Sequence, residues 1–316
     1  MEGQDTIEEI SKEIKSLMET AKRFNEAVQK LDERLKNLRA ISQPGTAPVP
    51  PVQQKPAAMG VAPPAASPPS DLSYRDTKLS TGNDKVDQLL VGGVRVGTSV
   101  ILIGPPFSGK YVLAWNFVAQ ALVDEVPVLV ITTDRDINEI KYQVGRIYPN
   151  VEEAENNGML RFIDLYSRSI QTQSPSKHAI VIDSILNISS VLKAADSVAA
   201  DFRSKHPYYK VLFSSLTSYA TEFDEKLLVK FIQQFSQKRK VEGAVSFYLM
   251  EGGVFERKLT ESVSYIVDGV IEFKADANKS YLRVTGLGNA RSRDWIELYM
   301  NETSFDLGSF TLEKIR

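Results

Sequence analysis

An α/β fold with a mostly parallel central sheet is predicted by three observations. Strand-like apolar runs alternate with helical patterns from residue 99 onwards. The run "SVILI" leads directly into G-x-x-x-x-G-K at residues 104–110, and a helical pattern follows at once. The runs at 269–273 and 280–285 have no long helix between them, which adds an antiparallel extension at the C-terminal end.

Taken in order, residues 5–40 carry a heptad. Ile7, Ile14, Ala21, Val28 and Leu35 occupy a positions, and Ile10, Leu17, Phe24, Leu31 and Leu38 occupy d positions. So narrow an apolar seam needs a second helix to cover it, so residues 7–38 are expected to pair with another copy or with a partner helix, giving a homo- or hetero-oligomer. An amphipathic helix docked on its own domain is the alternative. Residues 41–72 contain nine prolines and no aromatic residue. That composition cannot build a core and reads as a disordered Pro/Ala-rich linker, spanning roughly 30 Å as a coil and about 100 Å when extended. A PxxP ligand segment is its functional alternative.

Residues 73–316 read as one domain. Strands are expected near 99–103, 127–132, 160–165, 179–183, 210–214, 244–250, 269–273 and 280–285, with helices at 109–123, 136–146 and 223–240. Asp136 and Glu139 have capping-box spacing for the second helix.

Composition narrows the function. With 38 Lys+Arg against 40 Asp+Glu, the chain offers no general electrostatic attraction for nucleic acid, so nucleic-acid binding is not expected. There is no cysteine, and the only histidines are His178 and His206, far apart in sequence, so no metal site is expected from these ligand types. No apolar run reaches the ~20 residues of a membrane span. The acidic start is unlike a signal peptide, and a cytoplasmic location is the expectation.

Gly104, Pro105, Pro106, Phe107, Ser108, Gly109, Lys110 and Tyr111 form the candidate nucleotide-binding residues. Glycines let backbone N–H groups turn in around phosphate oxygens, the helix start adds partial positive charge, and Lys110 would reach the β/γ oxygens. A Ser or Thr normally follows this lysine, because its hydroxyl holds Mg²⁺. Here that residue is Tyr111.

The stretch 79–110, "LSTGNDKVDQLLVGGVRVGTSVILIGPPFSGK", resembles the KaiC-like branch of the RecA-type ATPases. The resemblance rests on Ser80, Thr81, Gly82, Asp87, Leu89, Leu90, Gly92, Gly93 and Gly97, and continues through "VDGVIEF" at 267–273. It implies a RecA-like domain, with ATP or ADP as ligand and a ring-forming tendency. It also makes the departures informative. A family pair of glutamates at the second strand's end corresponds to Asp134 and Arg135. The Mg²⁺-supporting aspartate corresponds either to Asp183, in "HAIVIDSI", or to Ser214, in "YYKVLFSSLTSYA". Glu251 ends a later strand, either as a γ-phosphate sensor and salt-bridge partner or as a solvated strand end. The Lys and Arg offered to a neighbour's nucleotide correspond to Gly286 and Gly288, with Arg291 and Arg293 as nearby substitutes or surface charges.

These departures point to an inactivated family member: weak or Mg-independent nucleotide binding, Mg²⁺ not expected, no catalytic residues expected, and a regulatory, signal-transduction or assembly role through the coiled coil. A working ATPase using Lys110, Asp134 and Asp183, and a scaffold without ligand, remain the alternatives.

Overall fold

The computed structural model describes residues 76–309, apart from 256, 277–278 and 289. The coiled-coil and linker readings, residues 5–40 and 41–72, lie outside the described residues.

The chain opens with β1 (Lys78–Leu79), α1 (Asp84–Leu89), β2 (Val94–Arg95), β3 (Ser99–Gly104) and α2 (Lys110–Val123). Then come β4 (Val128–Thr132), α3 (Ile137–Gly145), α4 (Val151–Asn156), β5 (Leu160–Asp164), α5 (Tyr166–Ser169) and β6 (Ile180–Val181). The second half adds α6 (Ile188–Arg203), β7 (Tyr209–Ser214), α7 (Leu216–Glu222), α8 (Glu225–Val241), β8 (Ala244–Glu251) and α9 (Arg257–Ile266). It ends with β9 (Gly269–Asp276), β10 (Lys279–Thr285), β11 (Ile296–Met300) and β12 (Phe305–Leu307).

Ten strands form one sheet in the order β12-β11-β10-β9-β3-β8-β7-β4-β5-β6. Pairing is parallel from β9 through to β6 and antiparallel from β9 out to β12. The expected antiparallel extension is therefore present, and longer than the sequence indicated. β11 and β12 escape periodicity because they are short and only every second residue is buried: Ile296, Leu298, Phe305 and Leu307.

Strand residues alternate between two cores, as the period-2 geometry of a strand requires. Val100, Leu102, Val128, Val130, Leu212, Phe247 and Leu249 face the layer containing α1, α2 and α3. Ile101, Ile103, Leu129, Ile131, Val211, Phe213 and Tyr248 face the layer of α6, α7 and α8. Phe213 is the hub of the second layer, with edge-on rings of Tyr219, Phe231 and Phe235 within 6.0 Å of its centroid. Burying each such aromatic side chain contributes about 1.5–3 kcal/mol.

The leading segment is pinned to this body by a carboxylate and a lysine. Asp87 accepts from Ser80 Oγ (2.5 Å), Thr81 N (2.8 Å) and Thr81 Oγ1 (2.8 Å). Lys210, fully buried at the start of β7, donates to the carbonyls of Ser80 (2.8 Å) and Phe117 (3.2 Å). Burial pushes its pKa down to about 7.

Register decides where chemistry collects. Gly104 lies opposite Glu251, and Thr132 opposite Ser214. The C-terminal ends of β3, β8, β7 and β4 thus meet at one crevice, the place where open α/β sheets bind ligands. Among the described residues, no helix is long and apolar enough to cross a membrane.

Candidate nucleotide site

The loop between β3 and α2 is shaped by backbone requirements. Gly109, the N-cap of α2, has φ 100°, a conformation L side chains rarely adopt. A Cβ on Gly104 would fall 2.6 Å from Phe273 Cβ and 2.9 Å from Ser108 Oγ. Phe107 stands at the tip, 97% exposed. Ser108 is wholly buried, and its hydroxyl has no protein hydrogen-bond partner.

Lys110 points inward. Its ammonium donates to the Pro105 carbonyl (2.9 Å) and to Glu251 Oε2 (2.8 Å), and the residue is 1% exposed. Burial lowers its pKa, Glu251 counteracts this, and Arg135 adds to it. Glu251 is fixed from behind, because its backbone N–H donates to Thr217 Oγ1 (2.9 Å). The loop lysine is therefore held by a carboxylate and a carbonyl, the contacts a phosphate would replace.

Tyr111 continues the chain of contacts. Its phenol donates to Asp134 Oδ2 (2.7 Å), and Ser214 Oγ donates to Asp134 Oδ1 (2.9 Å). Both oxygens of Asp134 are thus engaged by residues from α2 and β7. Burial, reinforced by the Asp134 charge, pushes the Tyr111 pKa far above its ordinary value of 10.0, so the phenol stays protonated. The Arg135 guanidinium lies 4.2 Å from the centre of the Tyr111 ring, and Lys110 Nζ lies 5.1 Å from the same point. Arg135 also pairs with Glu139, one helical turn further on. Burial works against the Arg135 charge, but Tyr111, Glu139 and Asp134 outweigh it and hold its pKa above the ordinary value. A cleft of about 360 Å³ opens among Phe107, Ser108, Gly109, Tyr111, Arg135 and Glu251.

Residues 104–111, Asp134, Ser214 and Glu251 are brought together. Asp183 is not. It follows β6 at the sheet edge, five strands from β3, where its exposed carboxylate meets Arg168 Nε at 3.3 Å. Gly286 and Gly288 are also elsewhere, lining a cleft with Gly93, Thr98 and Asp268 at the opposite end of β3. Arg291 bonds back to the Leu89 carbonyl through its N–H (2.9 Å), and Arg293 is exposed. The capping-box expectation at 136–139 changes in detail. Asp136 caps α3 by accepting from Asn138 N (2.7 Å), while Glu139 turns to Arg135. The Tyr111–Asp134–Ser214 chain is a feature that residue-by-residue reading misses. Its signal is joint: a phenol, a shortened carboxylate and a hydroxyl replace their expected counterparts at three neighbouring strand or helix ends.

Comparisons with known proteins bear on the family and the fold. A UPF0273 protein of Methanopyrus kandleri is 26% identical over 106 residues, 34% of this chain and 42% of that relative, so this match spans less than half of it. The archaeal flagellar ATP-binding protein FlaH of Sulfolobus acidocaldarius is 24% identical over 197 residues, 62% of this chain and 79% of FlaH. The structure of a KaiC-like protein from Pyrococcus horikoshii is similar in fold, with a TM-score of 0.58 at 16% identity, covering 74% of this chain and all of that one. The family model described as "ATPase: KaiC" matches residues 79–294, well over half of the sequence and the whole stretch from the Asp87 network to the strands beside the loop. The chain belongs to the KaiC family of ATPases.

Proposed function

We propose that this chain binds the phosphates of ATP or ADP at Gly104–Tyr111 without metal-dependent hydrolysis, and acts as a regulatory or assembly subunit. The observation that carries the reading is the closed set of bonds from Tyr111 to Asp134 to Ser214. A Mg²⁺ ion, which the family implies, fits these residues poorly. Its usual hydroxyl ligand is replaced by a phenol that reaches across to Asp134. Asp134, at the ends of β4 and β7, already accepts two hydrogen bonds, and two cations, Lys110 and Arg135, flank the same ring. Phosphate binding asks less of the site. Loop N–H groups, the start of α2 and Lys110 suffice for it, and all three are present. The description of FlaH as ATP-binding supports the ligand class.

Residues 7–38 supply the assembly function in this reading, by pairing with a second copy or a partner helix. A cytoplasmic location is part of the same proposal.

Thermal unfolding of the full chain tests the nucleotide part, with ATP, ADP or neither, each with Mg²⁺ or EDTA. Ligand at 100 times its Kd adds about 2.7 kcal/mol, a shift of roughly 5–10 °C for a domain of this size. The expected shift is the same with Mg²⁺ and EDTA and is lost in Lys110→Ala. A Mg²⁺-dependent turnover abolished by Lys110→Ala would overturn the reading and restore the ATPase.

A further inference from the structure

Arg135 is a permanent cation placed beside the phosphate loop, where its family resemblance implies a carboxylate. We propose that its guanidinium is the built-in counter-cation for the polyphosphate of a nucleoside di- or triphosphate, taking the electrostatic place of a divalent ion. The inference rests on the reading that the loop binds phosphate, and adds how the charge is balanced.

Four observations carry it. First, the guanidinium is positioned. It lies 4.2 Å from the centre of the Tyr111 ring, an arrangement in which the ring face attracts the cation. The ring is itself anchored, since its phenol is bonded to Asp134 (2.7 Å). Second, Arg135 lines the same cleft of about 360 Å³ as Ser108, Gly109 and Glu251. Lys110 Nζ is 5.1 Å from the ring that Arg135 covers, so the two cations sit around one aromatic side chain. Third, donors remain to be used. Arg135 Nε and the wholly buried Ser108 hydroxyl both lack a protein partner. Unpartnered buried atoms occur elsewhere in the molecule too, but these two line one cleft, where a ligand rich in acceptor oxygens would satisfy both. Fourth, the chemistry suits the ligand. A guanidinium keeps its charge throughout the accessible pH range and offers a planar fork of N–H donors that matches phosphate oxygens.

The existing partner of Arg135 does not oppose this. Glu139 lies on the exposed start of α3, and its side chain is 45% accessible. An exposed ion pair is weak, so phosphate competes with it at little cost. Lys110 and Arg135 together supply two positive charges. Glu251 and Glu139 offset these charges in the free protein, and an arriving polyphosphate that displaces them leaves both cations for its own oxygens.

The test is binding of a fluorescent ADP analogue to the full chain, in Mg²⁺ and in EDTA, with unfolding temperatures measured in parallel. The unmodified protein is expected to bind equally in both. Arg135→Ala should weaken binding roughly 10–100-fold, the worth of a hydrogen-bonded charge pair. Arg135→Lys should recover only part of this loss, because an ammonium lacks the fork. Glu139→Ala, which leaves Arg135 in place and frees it, should tighten binding by about threefold. Unchanged affinity in Arg135→Ala with lost affinity in Lys110→Ala overturns the proposal and leaves loop binding standing. Tighter binding in Mg²⁺ than in EDTA overturns it as well. No binding by the unmodified protein in either condition overturns both readings.

Discussion

The two ends of β3 obey different rules. At its N-terminal end, the leading segment retains the residue types the resemblance implies, and each meets a requirement of the backbone. Gly82 and Gly93 have φ of 82° and 103°, and a Cβ on either would fall 2.3 or 2.4 Å from a carbonyl oxygen. Asp87 satisfies an N–H and two hydroxyls at once. At the C-terminal end the backbone is equally well kept, with Gly104 and Gly109 shaping the loop, but several side chains there differ from the types the resemblance implies. Tyr111, Asp134, Arg135 and Ser214 bond or stack with one another rather than standing free. The difference teaches that the backbone requirements of the fold and the side chains at the crevice are carried by separate residues, so one set can be held while the other varies.

The largest effect that would break this comparison comes from the leading end. Gly82→Ala combines a left-handed φ with a Cβ only 2.3 Å from the Asn116 carbonyl oxygen. The expected loss is about 3 kcal/mol or more, a fall of roughly 6–12 °C in unfolding temperature. Gly253→Ala, near the loop, shares the φ problem at 80° but has nothing within 4 Å of its Cβ. It should cost only about 1 kcal/mol. Equal losses by calorimetry would mean that φ alone, and not the close approach, makes the leading end demanding.

The same division explains what the sequence discloses. Strands β3, β4, β7 and β8 are legible because they are buried on both faces and read as unbroken apolar runs, such as "SVILIG" and "AVSFYLME". The loop is legible because a backbone requirement leaves a fixed spacing of glycines. β6 reads longer than it is: "AIVID" is apolar enough for a central strand, yet only Ile180–Val181 pair, at the sheet edge. Asp183 inherits that error as a candidate, since a carboxylate after an apolar run looks alike at the edge and at the centre. Strand order decides between them, and strand order is a long-range property. The contacts of Tyr111 are equally long-range: Asp134 is 23 residues away, and Ser214 is 80 residues from Asp134.

Lys210 sharpens the comparison through pH. Both ends of the sheet bury a lysine, but Lys110 has a carboxylate while Lys210 bonds only to carbonyls. Its pKa falls from an ordinary 10.5 to about 7. Between these values the unfolded chain binds a proton that the folded chain does not, so stability rises with pH, by up to about 1.4 kcal/mol per unit. Below about pH 7 both states are charged and the cost is constant. Tyr209, Tyr219 and Tyr248, whose pKa values burial raises, act in the opposite sense near and above their ordinary 10.0. The window to read is therefore about pH 7 to 9.5. Denaturant titrations should show stability climbing across it, and Lys210→Met should flatten the climb. A climb that survives in Lys210→Met would assign it to another group.

The smallest expected effect is the most diagnostic of the loop. Glu251 holds Lys110 at 2.8 Å, with the lysine buried and the carboxylate 20% exposed, so the pair is largely desolvated. Before nucleotide can use Lys110, this contact must be exchanged for one with phosphate. Glu251 then lies close to the arriving anion, where its charge is unfavourable. Glu251→Gln keeps the size and an acceptor oxygen but removes the charge, so the lysine is released more easily and the repulsion is lost. Affinity for ADP is expected to rise about threefold to tenfold, on the order of 1 kcal/mol, while the unfolding temperature of the free protein falls, because the buried Lys110 ammonium loses its counter-charge. The opposite result, weaker binding in Glu251→Gln, would mean that the carboxylate takes part in holding ligand. The strand end would then be a working sensor, and the replaced chemistry would stop at Tyr111, Asp134, Arg135 and Ser214.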